Sequence, residues 1–210
     1  MASSSWSPEN ATKAYLTALK MGKRGKEPDT AEFISALAAG NNAKHMVIAS
    51  STFEESITLS LIAAAHQTNG QVVCIFPSKS ELQASKKALT PYKSKVKSLV
   101  GDAKTLLLKH CKEADFILID CKIEDCEEVF KAALECGNHG YVVGYNAFQK
   151  GHHEFKVRTQ FLPIGEGLMV CRIGSKVGGR QKKSRWVVRV DKCTGEEHVY
   201  RIPFHHQIQT

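Results

Sequence analysis

The chain has 210 residues, of which 42% are hydrophobic and 24% are charged, and its formal net charge at pH 7 is +8. These proportions are typical of a folded globular protein and exclude a disordered or fibrous chain. The apolar runs, of which residues 61–65 are typical, are far shorter than the roughly 20 residues that span a bilayer. We therefore expect no membrane span and no secretory signal, and one sizeable domain with a small appendage.

Seven cysteines are spread along the chain without a CxxC pair. Several of them stand inside apolar or helical patterns, as Cys74 and Cys171 do. An odd number with this distribution is typical of buried, reduced thiols in a cytoplasmic protein. Because a zinc site needs two close ligand pairs, we expect none here.

Two helices are predicted in the first part of the chain. Residues 7–9, Ser-Pro-Glu, combine a cap residue, a proline for the first turn and an acid at the positive end of the helix dipole. Asp29 and Glu32 have the spacing of a capping box, which predicts a second helix that ends at Gly40. We assign residues 1–41 to an N-terminal helical cap.

From residue 45 the pattern changes to short apolar runs that alternate with helical segments. Buried strands are predicted at residues 45–50, 71–76, 95–100, 114–120 and 140–145. The helices between them are predicted at residues 54–67, 80–89, 103–111 and 124–136. This alternation indicates βαβ crossovers and a mainly parallel sheet with helices on both faces. Residues 42–174 are therefore predicted to form a Rossmann-like, three-layer α/β domain.

The sequence pattern changes twice in the last part of the chain. Residues 153–174 contain two extended runs on either side of residues 163–167, which predicts an antiparallel pair at the sheet edge. The tail, residues 175–210, has six basic and no acidic side chains between residues 175 and 190. Two further extended runs follow, with Gly195 between them, and they have the signature of a β-hairpin extension.

Ligands of a doubly wound sheet bind beyond the carboxyl ends of its strands. The loop after the first strand, residues 49–56, has no glycine, and two glutamates at the following helix start would oppose a phosphate. A dinucleotide or nucleoside triphosphate is therefore disfavoured. The hydroxyls of Ser50 and Ser51 can contact another ligand, whereas the structural alternative is that Ser51 or Thr52 only caps the helix.

The next two strand ends offer one candidate contact. The second strand ends at Phe76, without the acid that would accept from both ribose hydroxyls, and Glu81 is expected to face solvent. Gly101, Asp102 and Ala103 follow the third strand as a glycine turn with an aspartate at a helix start. This geometry favours a contact with adenine, and it equally suits a plain N-cap.

Asp120 is the strongest functional candidate among the acids, because it ends the fourth strand after four apolar residues and points into the crevice. Its structural alternative is a cap on the helix near Glu124. Asn146 follows the fifth strand and is expected to face Asp120. We take Asp120 and Asn146 as candidate catalytic residues.

Three segments resemble the cation-dependent O-methyltransferases of the caffeoyl-CoA type: residues 120–122 (DCK), 140–147 (GYVVGYNA) and 161–173 (FLPIGEGLMVCRI). That family has a strand ending in Asp-Ala-Asp-Lys, a Gly-Tyr-Asp-Asn segment and a Leu-Pro-Val-Gly-Asp-Gly run before the last strand. The similarity covers roughly residues 28–174. Residues 6–15 (WSPENATKAY) and the basic tail resemble more closely a plant family described as methyltransferase-like.

The resemblance implies S-adenosylmethionine as methyl donor and a divalent cation that orients the acceptor hydroxyls. Asp120 matches the family's first metal aspartate, while the second falls on Asn146 and the neighbouring metal asparagine falls on Ala147. A hard cation prefers charged oxygen ligands, so we expect no metal.

The donor site also departs from the family. The acid at the end of the first strand falls on Ile48, two loop glycines fall on Ser50 and Glu54, and the ribose acid falls on Phe76. The residues left as candidate cofactor contacts are Ser50, Ser51, Ser56, Gly101, Asp102, Ala103 and Asp120.

Three functions remain open, because a fold alone does not determine an activity. The first is a methyltransferase with a modified donor pocket and no metal requirement. The second, favoured by the loss of four or more functional positions, is a non-catalytic module with a binding or regulatory role. The third is binding of nucleic acid or an acidic partner through residues 176–189, near Trp186 and Tyr200; its alternative is a solvated basic linker. A homodimer through the tail hairpin and a cytoplasmic location are further expectations.

Overall fold

The computed structural model describes residues 6–22, 29–137, 139–150, 159–173, 184–190 and 197–203. The helices are α1 (Pro8–Met21), α2 (Thr30–Gly40), α3 (Glu55–Thr68), α4 (Lys79–Leu89), α5 (Ala103–His110) and α6 (Cys126–Cys136). The strands are β1 (His45–Ala49), β2 (Gln71–Phe76), β3 (Val96–Val100), β4 (Phe116–Asp120), β5 (Gly140–Tyr145), β6 (Gln160–Leu162), β7 (Leu168–Ile173), β8 (Ser184–Val190) and β9 (Glu197–Pro203). Two short 3₁₀ turns, Thr90–Tyr92 and Ala147–Lys150, complete the described elements.

Seven strands form one sheet in the order β3-β2-β1-β4-β5-β7-β6. The first five are parallel, β7 runs antiparallel to β5, and β6 pairs antiparallel with β7 at the edge. The predicted parallel sheet and its antiparallel edge pair are therefore confirmed. The carboxyl ends of β1 to β5 meet at one edge, which we call the carboxyl edge; the opposite side is the amino edge.

Helices cover both faces of this sheet because its central strands are apolar on both sides. In β1, Met46 and Ile48 belong to the core under α1 to α4, and Val47 and Ala49 belong to the core under α5 and α6. Successive side chains of a strand point to opposite faces, so one five-residue strand supplies both cores. This is why the predicted strands read as continuous apolar runs rather than alternating ones.

The two N-terminal helices begin where their capping residues predict. The side chain of Ser7 accepts from the backbone N–H of Asn10 at 3.3 Å. At α2 the capping box is complete: the Asp29 side chain accepts from the backbone N–H of Glu32, and the Asp29 N–H donates to the Glu32 carboxylate at 2.8 Å. Both helices belong to the same core as α3, so they cover one face of the sheet.

Two details of the helix starts correct the sequence analysis. Helix α3 begins at Glu55 without a side-chain cap, so neither Ser51 nor Thr52 caps it. Helix α6 begins at Cys126, after an Asp125 that makes no capping bond, and not at residue 124. Ser51 instead donates to Asp120, and this tertiary hydrogen bond holds the loop that precedes α3.

The chain divides into two compact units, residues 1–175 and 176–210. In the second unit β8 and β9 pair antiparallel from Ser184↔Pro203 to Val190↔Glu197, which confirms the predicted hairpin. Gly195 and the basic residues 176–183 lie outside the described residues. In the part of the chain that the structure describes, no helix has both the length and the apolar character to cross a membrane.

Candidate ligand-binding cleft

A cleft of about 560 Å³ lies at the carboxyl edge, where the loops after β1, β2, β3 and β4 meet. Its volume is within the range of small-molecule and cofactor sites. The lining comes from the four strand ends that a doubly wound sheet uses for ligands. The residues that line it are Ser50, Ser51, Ile75, Pro77, Gly101, Asp102, Ala103, Lys104, Lys122, Ile123, Glu124, Asp125, Glu128 and Val129.

Carboxylates outnumber ammonium groups in this lining. The four acids are Asp102, Glu124, Asp125 and Glu128, and the two bases are Lys104 and Lys122. The Lys104 ammonium pairs with the Glu128 carboxylate at 3.0 Å. Because the remaining field is negative, the cleft favours a cationic ligand and disfavours a phosphate.

The turn after β3 brings backbone to the wall of the cleft. Gly101 has a φ of +144°, which only glycine adopts without strain, and its N–H donates to the carbonyl of Phe76 at 2.9 Å. The Asp102 carboxylate accepts from the N–H of Thr105 at 2.7 Å and thereby caps α5. Hydrogen bonds from Thr105 lower the pKa of Asp102, since they stabilise its charged form. The N-cap alternative is thus present at a residue that also lines the cleft.

Asp120 lies behind the cleft and is completely buried. One carboxylate oxygen accepts from both the backbone N–H, at 3.2 Å, and the hydroxyl of Ser51. The other accepts from the N–H of Lys122 at 3.0 Å and from the side-chain amide of Asn146 at 2.9 Å. This carboxylate therefore ties together the loops after β1, β4 and β5, and it does not line the cleft.

The expected contact between Asn146 and Asp120 is present, and its chemistry differs from that of a metal pair. Asn146 adopts a φ of +59°, and its amide also approaches a carboxylate oxygen of Glu54 at 3.5 Å. The Asn146 amide donates to Asp120 and contacts Glu54, so it stabilises two carboxylates that a bound cation could otherwise stabilise. Ala147 adds only a methyl group, so these three positions do not fit a hard divalent cation. Among the described residues no group of three or more His, Cys, Asp or Glu side chains is arranged to hold a metal ion.

Tyr145 is a polar group of this region that the sequence analysis missed. Its side chain is 1% exposed, and its hydroxyl has no hydrogen-bond partner among the described residues. Burial raises the pKa of Tyr145 well above its usual value, and the neighbouring charges of Asp120 and Glu54 and the Cys121 thiol raise it further. The hydroxyl therefore stays protonated and can donate. Its one sequence signal was its position as the last residue of β5, beside Asn146.

Two phenylalanines lie close to the cleft without filling it. The rings of Phe53 and Phe76 meet edge to face at 6.3 Å between centroids, and both belong to the core on the α3 side. The N–H of Phe53 donates to the Glu81 carboxylate at 2.7 Å. The expectation that Glu81 faces solvent was wrong, because this carboxylate holds the loop between β1 and α3.

The structure brings together most of the predicted cofactor contacts. Five of them line the cleft: Ser50, Ser51, Gly101, Asp102 and Ala103. Ser56, half-buried in the first turn of α3, and the buried Asp120 do not. The acidic wall after β4 was not predicted, although residues 124–128 (EDCEE) are acidic enough to have indicated it.

A sequence profile described as "Protein of unknown function (DUF1442)" matches residues 3–202. The chain belongs to the DUF1442 family. No curated protein matches the sequence of this DUF1442 chain.

Solved structures similar to this DUF1442 protein are methyltransferases. A candidate caffeoyl-CoA O-methyltransferase from Staphylococcus aureus is 17% identical with a TM-score of 0.58, over 80% of this chain and 93% of that one. A Podospora anserina methyltransferase bound to S-adenosylhomocysteine is 14% identical with a TM-score of 0.58, over 79% and 88%. A Bacillus cereus O-methyltransferase in complex with S-adenosylhomocysteine is 15% identical with a TM-score of 0.55, over 80% and 91%. At these identities the likeness shows the methyltransferase-like fold and nothing further.

Proposed function

We propose that this DUF1442 protein binds an S-adenosyl ligand in the carboxyl-edge cleft, as a methyltransferase-like protein whose donor and metal positions are degenerate. The observation that carries the proposal is the cleft itself, formed at the ends of β1 to β4 and containing the Gly101 turn. Similar folds bind S-adenosylhomocysteine, which supports the same ligand class for this chain.

The charge of the cleft supports S-adenosylmethionine or its demethylated product over a nucleotide. S-adenosylmethionine carries a positive sulfur, an ammonium group and one carboxylate, and the acids at residues 124 and 125 attract its two positive groups. A nucleoside triphosphate would meet the same acids with like charge. The Gly101 turn offers backbone for adenine, and the hydroxyls of Ser50 and Ser51 replace the family's glycine-rich contact.

Bound S-adenosylmethionine would supply a methyl group on a positively charged sulfur. Around it, this chain offers Ser51, which Asp120 orients, and the Asp102–Ala103 turn. The four donors on Asp120 stabilise a loop arrangement and leave that carboxylate no contact with an acceptor. We therefore propose a binding role without cation-dependent methyl transfer. The buried cysteines at residues 74, 111, 121, 126, 136 and 171 form no disulfide in the part of the chain that the structure describes, which supports a reducing, cytoplasmic setting.

Isothermal titration calorimetry of the full chain tests the binding. We expect both S-adenosylmethionine and S-adenosylhomocysteine to bind, equally well in EDTA and in magnesium, and ATP to bind far more weakly. The variant Ala103→Trp places a large ring in the cleft and should weaken both by at least about tenfold, or about 1.4 kcal/mol. The matched control is Ala84→Trp on the exposed face of α4.

Two results would contradict the proposal. No heat with either adenosyl ligand at millimolar concentration removes the binding role. Magnesium-stimulated methyl transfer to a catechol acceptor would contradict the proposal that the protein does not catalyse cation-dependent methyl transfer. Binding of partners through residues 176–189 stays a prediction, since no side chain of that segment is described.

A further inference from the structure

The amino edge contains a second cavity, of about 310 Å³, that the adenosyl cleft does not include. Val47 of β1, Val73 of β2 and Cys111 after α5 contribute an apolar part of its lining. The exposed side chains of His45 and Gln71 add polar groups to it. The cavity is thus apolar at its floor and able to form hydrogen bonds at its rim.

Lysines lie around this cavity because the end of α5 and the start of β3 are close to it. Lys109 and Lys112, at the end of α5, line it directly. Lys97 of β3 stands opposite Val73 in the parallel register, and its charge is close enough to lower the pKa of the Cys111 thiol that burial raises. These lysines are exposed, so their ammonium groups face solvent.

Two more lysines extend the same charge along the edge. Lys95 donates to the side-chain carbonyl of Asn69 at 2.8 Å, and Lys44 donates to the backbone carbonyl of Thr68. Both bonds hold a lysine at the start of a strand while its charge stays uncompensated by a carboxylate in the described contacts. The lysine field therefore spans the starts of β1, β2 and β3.

Few acids oppose this field. Glu113 is the carboxylate among the residues that line the cavity, all of which are described. Nearby, both oxygens of Asp115 accept backbone N–H groups, from Lys44 at 2.8 Å and from His45 at 3.0 Å. The cavity is consequently positive, in contrast to the negative cleft at the other edge.

We propose that the amino edge binds a single-stranded nucleic acid, with one nucleotide in the cavity and the neighbouring phosphates on the lysines. A cavity at the lower end of the range for small ligands is large enough for one base. An apolar floor suits the face of a base, and the His45 and Gln71 side chains suit its polar edge. Lysines act as point charges for phosphates, which suits a cavity whose described lining contains two lysines. A duplex keeps its bases stacked and cannot place one in the cavity without an unpairing cost.

Fluorescence anisotropy with labelled oligonucleotides of about 12 nucleotides, one of RNA and one of DNA, tests the proposal on the full chain. The triple variant Lys97→Gln, Lys109→Gln, Lys112→Gln should weaken binding at least about tenfold. It should also reduce the slope of log K against log salt by about 2, because each lost phosphate contact removes roughly 0.7. The matched control, Lys13→Gln, Lys20→Gln, Lys131→Gln, removes the same charge from α1 and α6. It should change the affinity by less than about twofold and leave the salt slope nearly unchanged.

A second pair of variants separates the cavity from the charge. At a pH of about 8, His45→Ala with Gln71→Ala should weaken single-strand binding and leave the salt slope unchanged, because neither variant removes a lysine contact with a phosphate. Competition with duplex DNA and with poly-glutamate should be weak by comparison. Equal competition by either one would show a charge effect and overturn the nucleotide site.

The basic tail is the alternative binding segment, and a third variant distinguishes it. Lys182→Gln, Lys183→Gln, Arg185→Gln removes three tail charges from the full chain. If this variant loses binding while the Lys97, Lys109 and Lys112 variant keeps it, the amino-edge proposal is wrong. The adenosyl ligands serve as an independent check, since their affinity should be the same in the amino-edge and tail variants, none of which changes a residue of the cleft.

Discussion

The two edges of the same sheet differ in charge and in how their loops are held. At the carboxyl edge, acids line the cleft, and a buried carboxylate, Asp120, joins three loops. At the amino edge, lysines surround the cavity, and a half-buried carboxylate, Asp115, accepts only two backbone N–H groups. The strands thus separate a cleft with a mainly acidic lining from a cavity with lysines around it.

This difference shows that the two edges of one sheet use their carboxylates differently. The resemblance to caffeoyl-CoA-type O-methyltransferases matches Asp120 to a metal aspartate, but in this structure its oxygens accept from Ser51, Lys122 and Asn146. A carboxylate saturated with donors stabilises a structure and has no lone pair left for a cation. Asp115 is more accessible and makes fewer bonds, so we expect the carboxyl edge to depend far more on its carboxylate.

The largest expected effect is that of Asp120→Ala. It leaves the N–H groups of Ser51 and Lys122 without their acceptor and the Asn146 amide with only its 3.5 Å contact to Glu54, which should lower the free energy of unfolding by about 3–5 kcal/mol. Urea denaturation followed by circular dichroism measures this change. Asp125→Ala, at an exposed aspartate without a capping bond, is the matched control and should cost less than about 0.5 kcal/mol. A loss for Asp120→Ala no larger than the control's would mean that the carboxylate holds nothing together.

The fold was predictable because its signals are local. Strand β1 is a run of apolar residues, and α2 has a capping box within four consecutive residues, so each can be recognised without knowledge of the rest. The parallel order followed from the alternation of strands and helices, since βαβ crossovers leave few other arrangements.

The site was predicted less well because its contacts join distant segments. The hydroxyl of Ser51 could cap a helix or bind a ligand; its actual partner, Asp120, is 69 residues away. Glu81 similarly turns to the N–H of Phe53, 28 residues earlier in the chain. The amino-edge cavity was not predicted at all, because its lining residues, such as Gln71 and His110, share an edge only once the sheet has formed.

Asp115→Ala tests the other side of the comparison with a smaller effect. Two backbone N–H groups lose their acceptor, but water can reach them, so the free energy of unfolding should fall by about 1–2 kcal/mol. The same urea titration measures it, with the exposed neighbour Glu113→Ala as control. A loss equal to that of Asp120→Ala would remove the proposed asymmetry between the two edges.

The cap at Asp102 should contribute less still, and its contribution should depend on pH. Replacement by alanine should cost about 0.5–1 kcal/mol at neutral pH, because α5 loses the acceptor for Thr105. The pKa of Asp102 is lowered in the folded state, so this contribution is present above the unfolded value of about 3.9 and is lost as pH falls through the folded value.

Urea titrations of Asp102→Ala and the parent protein at neutral pH and at about pH 3 measure that dependence. The difference between them should become smaller at the acidic end, because protonation removes the part of the cap that depends on the carboxylate's charge. Asp102→Ser keeps a capping oxygen without a carboxyl group, so it should retain most of the stability with no such pH dependence. A difference that is constant with pH would exclude the charged cap as the cause.

The smallest effect concerns Tyr145, and its sign distinguishes two states of the carboxyl edge. Its buried hydroxyl has no partner among the described residues, and an unpaired buried donor costs free energy. Tyr145→Phe removes that donor with almost no change of shape, so the free protein should be unchanged or more stable by up to about 1 kcal/mol. If the variant is instead less stable by a similar amount, a bound water or a ligand atom completes the hydroxyl's hydrogen bonding. If the partner of the hydroxyl is a ligand atom, calorimetric titration should also show weaker binding of S-adenosylhomocysteine to the variant. If the partner is water, the variant should differ from the parent protein only in urea denaturation.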